Sequence, residues 1–287
     1  MQTDRVSAAP SVGPAVQLPD TSWSDWRDPA SGRTWRVFAQ APLTAAPAGG
    51  HPLLLVLDAN QSFVLAAQLA RNLLERPSDV RGDVPIVVGI DHPTAIMDHD
   101  ARRRDFTPPD AAGSPSSGGA DALLGFIANQ LQPQVAARWP VNATRQTLFG
   151  HSLAGLFTMY AMFARPGLFG AYAAASPSLW WRDGQWLRSA ASAMNASSVP
   201  WRAQVQLSVG ALENVAGAQS PRRAAVLAER RPIERTRALA ELLRQHAQAQ
   251  DWRQLQVDFT AYPDLDHGEV MPRALLDALS LARGNRT

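Results

Sequence analysis

Ser152, Glu213 and His267, in that chain order, are residues whose types and settings suit nucleophilic catalysis. Ser152 lies in "LFGHSLAGLF" (148–157), between an apolar segment and a helix-forming one. A serine on a sharp strand-to-helix turn presents its hydroxyl at the end of a sheet. There a histidine can take the proton as the oxygen attacks a carbonyl carbon. The usual turn reads G-x-S-x-G. In this chain Gly150 fills the first glycine place, Ala154 the second, and Gly155 comes one step later. The methyl of Ala154 is expected to crowd the turn without forbidding it. Serine also suits an ordinary helix N-cap, so the motif alone does not decide.

His267, in "YPDLDHGEVMP", follows the predicted last strand and precedes the last helix, from where it can reach back over the sheet edge to Ser152. His51, His92 and His99 precede the serine, His246 is mid-helix and His151 is held inside the turn, so each reads as a solvated or packing histidine. Glu213, in "LSVGALEN", lies just past a predicted strand ending at Val209. A carboxylate there can fix the imidazole tautomer and stabilise the imidazolium. Asp264 and Asp266 are rivals by proximity to His267, but sequence neighbours of a histidine usually point elsewhere.

The tetrahedral oxyanion needs two donors. One is expected to be the backbone N–H of Leu153 and the other, in "LDANQSF", that of Ala59, with Asn60 next. "SPSLWW" follows a predicted strand at 171–175 and should bring Ser176, Trp180 and Trp181 near the mouth of the site. The tryptophans suit either stacking on an aromatic substrate or core packing. "RRRDFTP" sets Arg102, Arg103 and Arg104 beside Asp105. One reading is an Arg–Asp pair that fixes a loop; the other makes Arg102 and Arg104 substrate contacts, a cationic wall for an anionic group.

The elements that must position these residues follow from pattern. "TWRVFAQ" (34–40) alternates like an antiparallel strand, while "PLLLVLD" (52–58) and "VPIVVGI" (84–90) are short apolar runs suited to central strands. Residues 62–75 have helical periodicity, 108–122 is a low-complexity loop, and "LLGFIANQLQPQVAARW" reads as helix. "RQTLFG" (145–150) is a strand followed by a helix from Ser152 to about Ala164. Further strands are expected at 171–175, 203–209 and 254–261. The tract 214–232 has no strand pattern and reads as a surface insertion. Strands alternating with helices predict one α/β domain over 16–287, with a mostly parallel central sheet, behind a flexible lead-in over 1–15.

Composition narrows the class further. The chain has 287 residues and no cysteine, which removes disulfides, thiol catalysis and thiolate metal sites. All 27 Lys+Arg residues are arginine; against 25 acidic residues the net charge of +2 gives no reason to expect nucleic acid as a partner. No apolar run approaches the roughly 18 residues of a membrane span. The Ala/Pro/Ser-rich start resembles that of an exported protein whose leader has been removed, which favours a periplasmic over a cytoplasmic location. The chemistry needs no metal or cofactor.

"LLVLDANQSF", "RRRDFTP", "LFGHSLAGLF", "SPSLWW" and "VGALE" occur in the order seen in the "Putative esterase" family of α/β hydrolases, and the resemblance is greatest to its siderophore esterase branch. It covers residues 16 to 283. The resemblance implies an α/β-hydrolase fold, a three-layer sandwich, with Ser152 as nucleophile, His267 as base and an acid that is sometimes weakly engaged. It also implies Ala59 as an oxyanion donor, where relatives usually have glycine. The implied activity is a serine carboxylester hydrolase acting on a small-molecule ester, with the ester bonds of an iron–siderophore complex as one substrate. A general small-ester esterase and a serine acyltransferase use the same triad, and a non-catalytic binding protein on this scaffold is the third alternative.

Overall fold

Seven consecutive buried residues, His51–Leu57, form the middle of the sheet, and their apolar side chains alternate between its two faces. Leu53, Leu55 and Leu57 belong to one core, Leu54 and Val56 to the other. A strand apolar on both faces requires a layer of helices on each side. The computed structural model describes residues 17–109, 114–196 and 200–284. The expected lead-in over 1–15 lies outside the described residues, as do 110–113 of the 108–122 loop.

The strands are β1 (Thr21–Arg27), β2 (Thr34–Gln40), β3 (His51–Leu57), β4 (Ile86–Asp91), β5 (Val141–His151), β6 (Ala171–Ala175), β7 (Ala203–Gly210) and β8 (Leu255–Tyr262). They form one eight-stranded sheet in the order β1-β2-β4-β3-β5-β6-β7-β8. The β1–β2 and β2–β4 pairs are antiparallel, and every other pair is parallel. The helices are α1 (Ala59–Asn72), α2 (Ser78–Arg81), α3 (His99–Phe106), α4 (Ala120–Phe126) and α5 (Gln132–Arg138), then α6 (Leu153–Ala164), α7 (Gln185–Ala196), α8 (Pro221–Arg230), α9 (Pro232–Ala249) and α10 (Val270–Ala282).

Helices α1 and α10 cover one face through Phe63, Ala66, Leu275 and Leu279. The other face is covered by α4, α6 and α9 through Leu123, Phe126, Phe157, Leu239 and Leu243. This is the α/β domain with a mostly parallel sheet that the alternating pattern predicts, in the three layers of the α/β-hydrolase fold that the family resemblance implies. Helix α6 is buried from Ala154 to Phe163, which is why its sequence is apolar all round. The predicted helix over 123–139 is α4 and α5 joined by a π-helical turn at Ile127–Leu131, just ahead of Pro133.

Strand β1 was not expected. It is an edge strand with mostly exposed residues, so no buried face marks it in the sequence. Its register is carried instead by a bidentate pair: Arg36 Nε and NH2 donate to Asp25 at 2.8 and 3.0 Å, directly across the ladder. The 214–232 tract, expected only as an insertion, holds all of α8. No helix among the described residues is long and apolar enough to cross a membrane.

Candidate active site

Strand β5 runs to His151 and α6 begins at Leu153, so Ser152 alone makes the turn. Its backbone sits at φ 60°, ψ −117°, a region that costs a non-glycine residue about 1–3 kcal/mol and survives only when neighbours hold it. They do so on both sides. The Ser152 N–H donates to Ala175 O at 2.9 Å, and Ser178 N–H donates to Ser152 O at 3.0 Å. A Cβ at Gly150 would lie 2.3 Å from Ala154 O, so only glycine fits there. The second close approach falls at Gly155, whose Cβ would stand 3.0 Å from Ala175 O. The Ala154 methyl is fully buried in the core, which is how the turn tolerates it.

The turn aims Ser152 at His267. The distance from Ser152 Oγ to His267 Nε2 is 3.1 Å, and His267 Nδ1 lies 2.7 Å from Glu213 Oε2. Glu213 is buried, and its other oxygen accepts Gly210 N–H at 2.9 Å and the Ser176 hydroxyl. Burial alone would raise its pKa, but the bond and charge of His267, with these two donors, hold it below the usual carboxylate range. An ionised Glu213 fixes the proton on Nδ1 and leaves Nε2 to accept from the serine. Asp266 does not compete, because its Oδ1 accepts the N–H groups of Gly268 and Glu269 at 2.8 and 3.0 Å within its own turn.

The structure gives His151 a definite task. Its Nε2–H donates to His267 O at 2.8 Å, with the two rings 4.6 Å apart. Burial first, then the charge of His267, push its pKa down to about 3, so it stays a neutral donor that fixes the backbone of the base.

Strands β3 and β5 are neighbours, with Val56 opposite Phe149, so α1 and α6 start side by side at one end of the sheet. First-turn N–H groups have no acceptor inside their own helix, which leaves those of Ala59 and Leu153 for an oxyanion. The Ala59 methyl has room because residue 89 on β4 is glycine, where a Cβ would come within 2.6 Å of it. Asn60 is otherwise engaged, its N–H donating to Asp91 Oδ2 at 2.7 Å.

Arg102 binds these two loops together. Its Nε donates to Asp58 at 2.8 and 2.9 Å and its NH2 to the same carboxylate at 2.8 Å. The same NH2 donates to His151 O at 3.2 Å. One buried guanidinium therefore fixes the residue before Ala59 to the residue before Ser152. This placement corrects the expectation that Arg102 contacts substrate. Arg104 is likewise committed, through Nε and NH2 at 2.8 and 3.0 Å, to Asp105. Asp105 is fully buried and also takes Arg33 NH1 at 2.9 Å, Trp35 Nε1 at 3.1 Å and His92 Nε2 at 3.0 Å. Although burial opposes it, Asp105 and Asp91 raise His92 to about 9, so it is an imidazolium within the cluster. The Arg–Asp pair that fixes a loop is the reading the geometry favours.

The family described as "Putative esterase" matches residues 29–262. The chain belongs to this esterase family. It is 34% identical over 190 residues to ferri-bacillibactin esterase BesA of Bacillus subtilis (strain 168), covering 62% of this chain and 65% of that one, just under two thirds. It is 32% identical over 244 residues to the siderophore enterobactin esterase of Emericella nidulans, covering 77% and 78% of the two chains. Among solved structures, siderophore hydrolase EstB from Aspergillus nidulans superposes with a TM-score of 0.82 at 26% identity, covering 94% of this chain and 97% of that one.

The cleft of this esterase-family chain is small. About 90 Å³ lies over Ser152 and His267, walled by Ser178, Trp180, Arg223, Leu227 and Arg230. Trp180 stands at the mouth, as expected from sequence. Trp181 faces a neighbouring hollow of about 340 Å³, which also borders Trp180, Arg103 and Ser116. Ser176 borders the cleft, but its hydroxyl is committed to Glu213. Three wall residues were missed from sequence: Arg223, Leu227 and Arg230 of α8. Their signal was present. Ser220 caps the helix by accepting Arg223 N–H at 3.2 Å, Pro221 follows it, and the three residues recur at i, i+4 and i+7. A larger cavity, about 500 Å³, opens at the opposite end of the strands between Thr144, Gln146, Arg202 and Gln204 and holds no nucleophile–base pair. No group of His, Asp and Glu suited to a metal ion occurs among the described residues.

Proposed function

We propose that this chain is a serine carboxylester hydrolase whose substrate is the ester linkage of a ferric siderophore. The observation that carries the chemistry is the continuous line from Ser152 Oγ through His267 to Glu213, at 3.1 and 2.7 Å, on a strained strand-to-helix turn. Ser152 Oγ attacks the ester carbonyl carbon while His267 Nε2 accepts its proton. The carbonyl oxygen becomes an oxyanion facing the N–H groups of Leu153 and Ala59. Collapse breaks the ester C–O bond, and His267 gives its proton to the leaving alcohol. Water, deprotonated by the same histidine, then releases the acyl group as a carboxylic acid and restores the serine.

The substrate reading draws support from the named activities of BesA, the Emericella enzyme and EstB, each of which acts on a siderophore. The narrow cleft agrees with it. A volume of about 90 Å³ admits an ester and a small adjoining group, so the bulk of a large substrate lies outside, over Trp180 and the neighbouring hollow.

The test is a panel running from short p-nitrophenyl esters to ferric siderophores, with intact protein and Ser152→Ala. Ester turnover should fall by several orders of magnitude in Ser152→Ala with folding retained, since roughly 10⁶-fold is the scale for losing such a nucleophile. A fluorophosphonate should label Ser152. Labelling at another residue, or turnover surviving the substitution, would refute the assignment.

A further inference from the structure

The loop after β6 carries two buried serines that serve different partners. Ser176 donates to Glu213. Ser178 is 1% exposed and borders the cleft. Among the described residues its hydroxyl has one hydrogen-bond partner, Ser152, with 3.4 Å between the two Oγ atoms. That is long for a pair of hydroxyls. A buried hydroxyl so weakly engaged is an unfavourable arrangement unless the site uses it.

The loop is held against the nucleophile turn at some cost. Ser176 has φ 42°, in the left-handed region that a non-glycine residue adopts only under constraint. A Cβ at Gly155 would stand 3.1 Å from Pro177 Cα, so glycine there lets the loop lie on the first turn of α6. Ser178 N–H donates to Ser152 O, and Trp181 N–H donates to Ser178 O, each at 3.0 Å. These backbone bonds fix Ser178 beside Ser152 without using either side chain.

The direction of the bond between the two hydroxyls follows from the triad. Glu213 keeps the imidazole proton on Nδ1, so the Ser152 hydroxyl donates to His267 Nε2 and its Oγ is left as an acceptor. Ser178 must then be the donor. It follows β6, whereas Ala59 follows β3, and β5, which leads to Ser152, lies between those strands. The N–H groups of Ala59 and Leu153 answer charge on the carbonyl oxygen. The Ser178 hydroxyl is placed for charge on Oγ itself.

We propose that Ser178 is a further catalytic residue, whose hydroxyl donates to Ser152 Oγ and stabilises the negative charge that develops there. This rests on the reading of Ser152 as an esterase nucleophile. In acylation the Ser152 proton passes to His267 Nε2 as the Oγ–carbon bond forms and the carbonyl electron pair moves onto its oxygen. In deacylation the same Oγ–carbon bond breaks, its electron pair returns to Oγ, and His267 gives Oγ the proton. Ser178 keeps its own proton throughout. A hydroxyl donating to a charged oxygen closes to about 2.5–2.7 Å, so a contact that is long at rest tightens as charge builds. The bond is therefore stronger in the transition state than in the ground state, which is the condition for speeding the chemical step.

The experiment compares the intact chain with Ser178→Ala and Ser178→Thr on p-nitrophenyl butyrate. Alanine keeps both backbone bonds of residue 178 and removes only the hydroxyl. kcat should fall about 10- to 100-fold, the scale of a lost hydrogen bond to a charged group, with KM little changed. The rate at which a fluorophosphonate labels Ser152 should fall by a similar factor, because that reaction uses the same oxygen. The midpoints of the pH–rate profile should stay in place, because Ser152 remains on His267. Ser178→Thr, which keeps the hydroxyl, should restore most of the rate. Denaturant midpoints identify a variant that does not fold. Ser178→Cys, with a weaker donor, covers that case, and its rate should lie between those of serine and alanine.

Unchanged kcat and labelling rate in folded Ser178→Ala overturn the role of Ser178 and leave the esterase reading standing. So do Thr and Cys variants both as slow as Ala, which would make shape rather than the hydroxyl the cause. A loss accompanied by shifted pH midpoints would mean that Ser152 has moved off His267, and a loss in KM alone would make Ser178 a substrate contact. Either result overturns the donor role. If the intact protein cleaves no ester and Ser152 is not labelled, the esterase reading fails and the role of Ser178 falls with it.

Discussion

The two arginine clusters, on α3 and on α8, look alike in sequence and differ in what surrounds them. On α3, Arg102 and Arg104 meet the carboxylates of Asp58 and Asp105 in bidentate geometry, and both carboxylates are buried. On α8, Arg223 and Arg230 meet an indole ring, a leucine and open cleft. The first pair are internal ties whose charges are answered by the fold. The second make no ion-pair contact among the described residues, and only the more distant charge of Glu229 offsets their mutual repulsion beside the nucleophile. A run of arginines therefore says little by itself; where the carboxylates fall in three dimensions decides whether it is structure or site.

The contrast breaks most visibly at Arg102. Arg102→Gln strands the Asp58 carboxylate without its cation, a change that costs about 3–5 kcal/mol when one partner of a buried pair is removed. It also frees the Ala59 and Leu153 loops from one another, so kcat should fall for neutral and anionic esters by the same factor. Urea unfolding and paired kinetics check both points. A selective loss on the anionic ester would mean that Arg102 touches substrate after all, and would erase the distinction between the clusters.

A smaller and pH-dependent effect should mark the α3 side alone. His92 is raised to about 9 by Asp105 and Asp91 despite burial. A group whose folded pKa is raised stabilises fully below its unfolded value, and that contribution disappears as pH rises through the folded value. Stability should therefore decline between about pH 6.5 and pH 9, by a few kcal/mol in all. In His92→Gln this alkaline decline should be lost. Unfolding midpoints measured across that range in both proteins give the answer, and a decline of equal size in the variant would contradict it.

The same contrast explains which features could be read from the sequence. Ser152, His267 and Glu213 were legible because each lies just past the end of a strand marked by its apolar run or alternation, and chain order then orders them in space. The central strands were legible because burial on both faces produces unbroken apolar runs, as in His51–Leu57. Strand β1 was not, since it buries almost nothing. How Ala59 stands where relatives usually have glycine could not be read, because the room for its methyl comes from Gly89 on another strand. The partners of Arg102 and the role of His151 were hidden for a similar reason. Asp58 lies 44 residues from Arg102, and His267 lies 116 from His151. Helix α8 was missed because one buried leucine among many arginines and alanines is a faint periodic signal.

The smallest expected effect is the sharpest test of the α8 half. If Arg230 forms no ion pair, removing its charge strands no carboxylate. Three small terms remain, one of them the lost attraction between Arg230 and Glu229. Loss of the stacked contact with Trp180 costs about 0.5–1 kcal/mol at a partly exposed site. Relief of repulsion from Arg223 acts in the opposite direction. Arg230→Gln should therefore shift stability by less than about 1 kcal/mol, against several for Arg102→Gln. High salt should narrow even that difference, because it screens the repulsion in the intact protein. Denaturant midpoints of the two variants, measured side by side at low and high salt, supply the comparison. A loss at Arg230 as large as that at Arg102 would reveal a structural partner for α8. The arginines beside Ser152 would then have to be reassigned as ties of the fold.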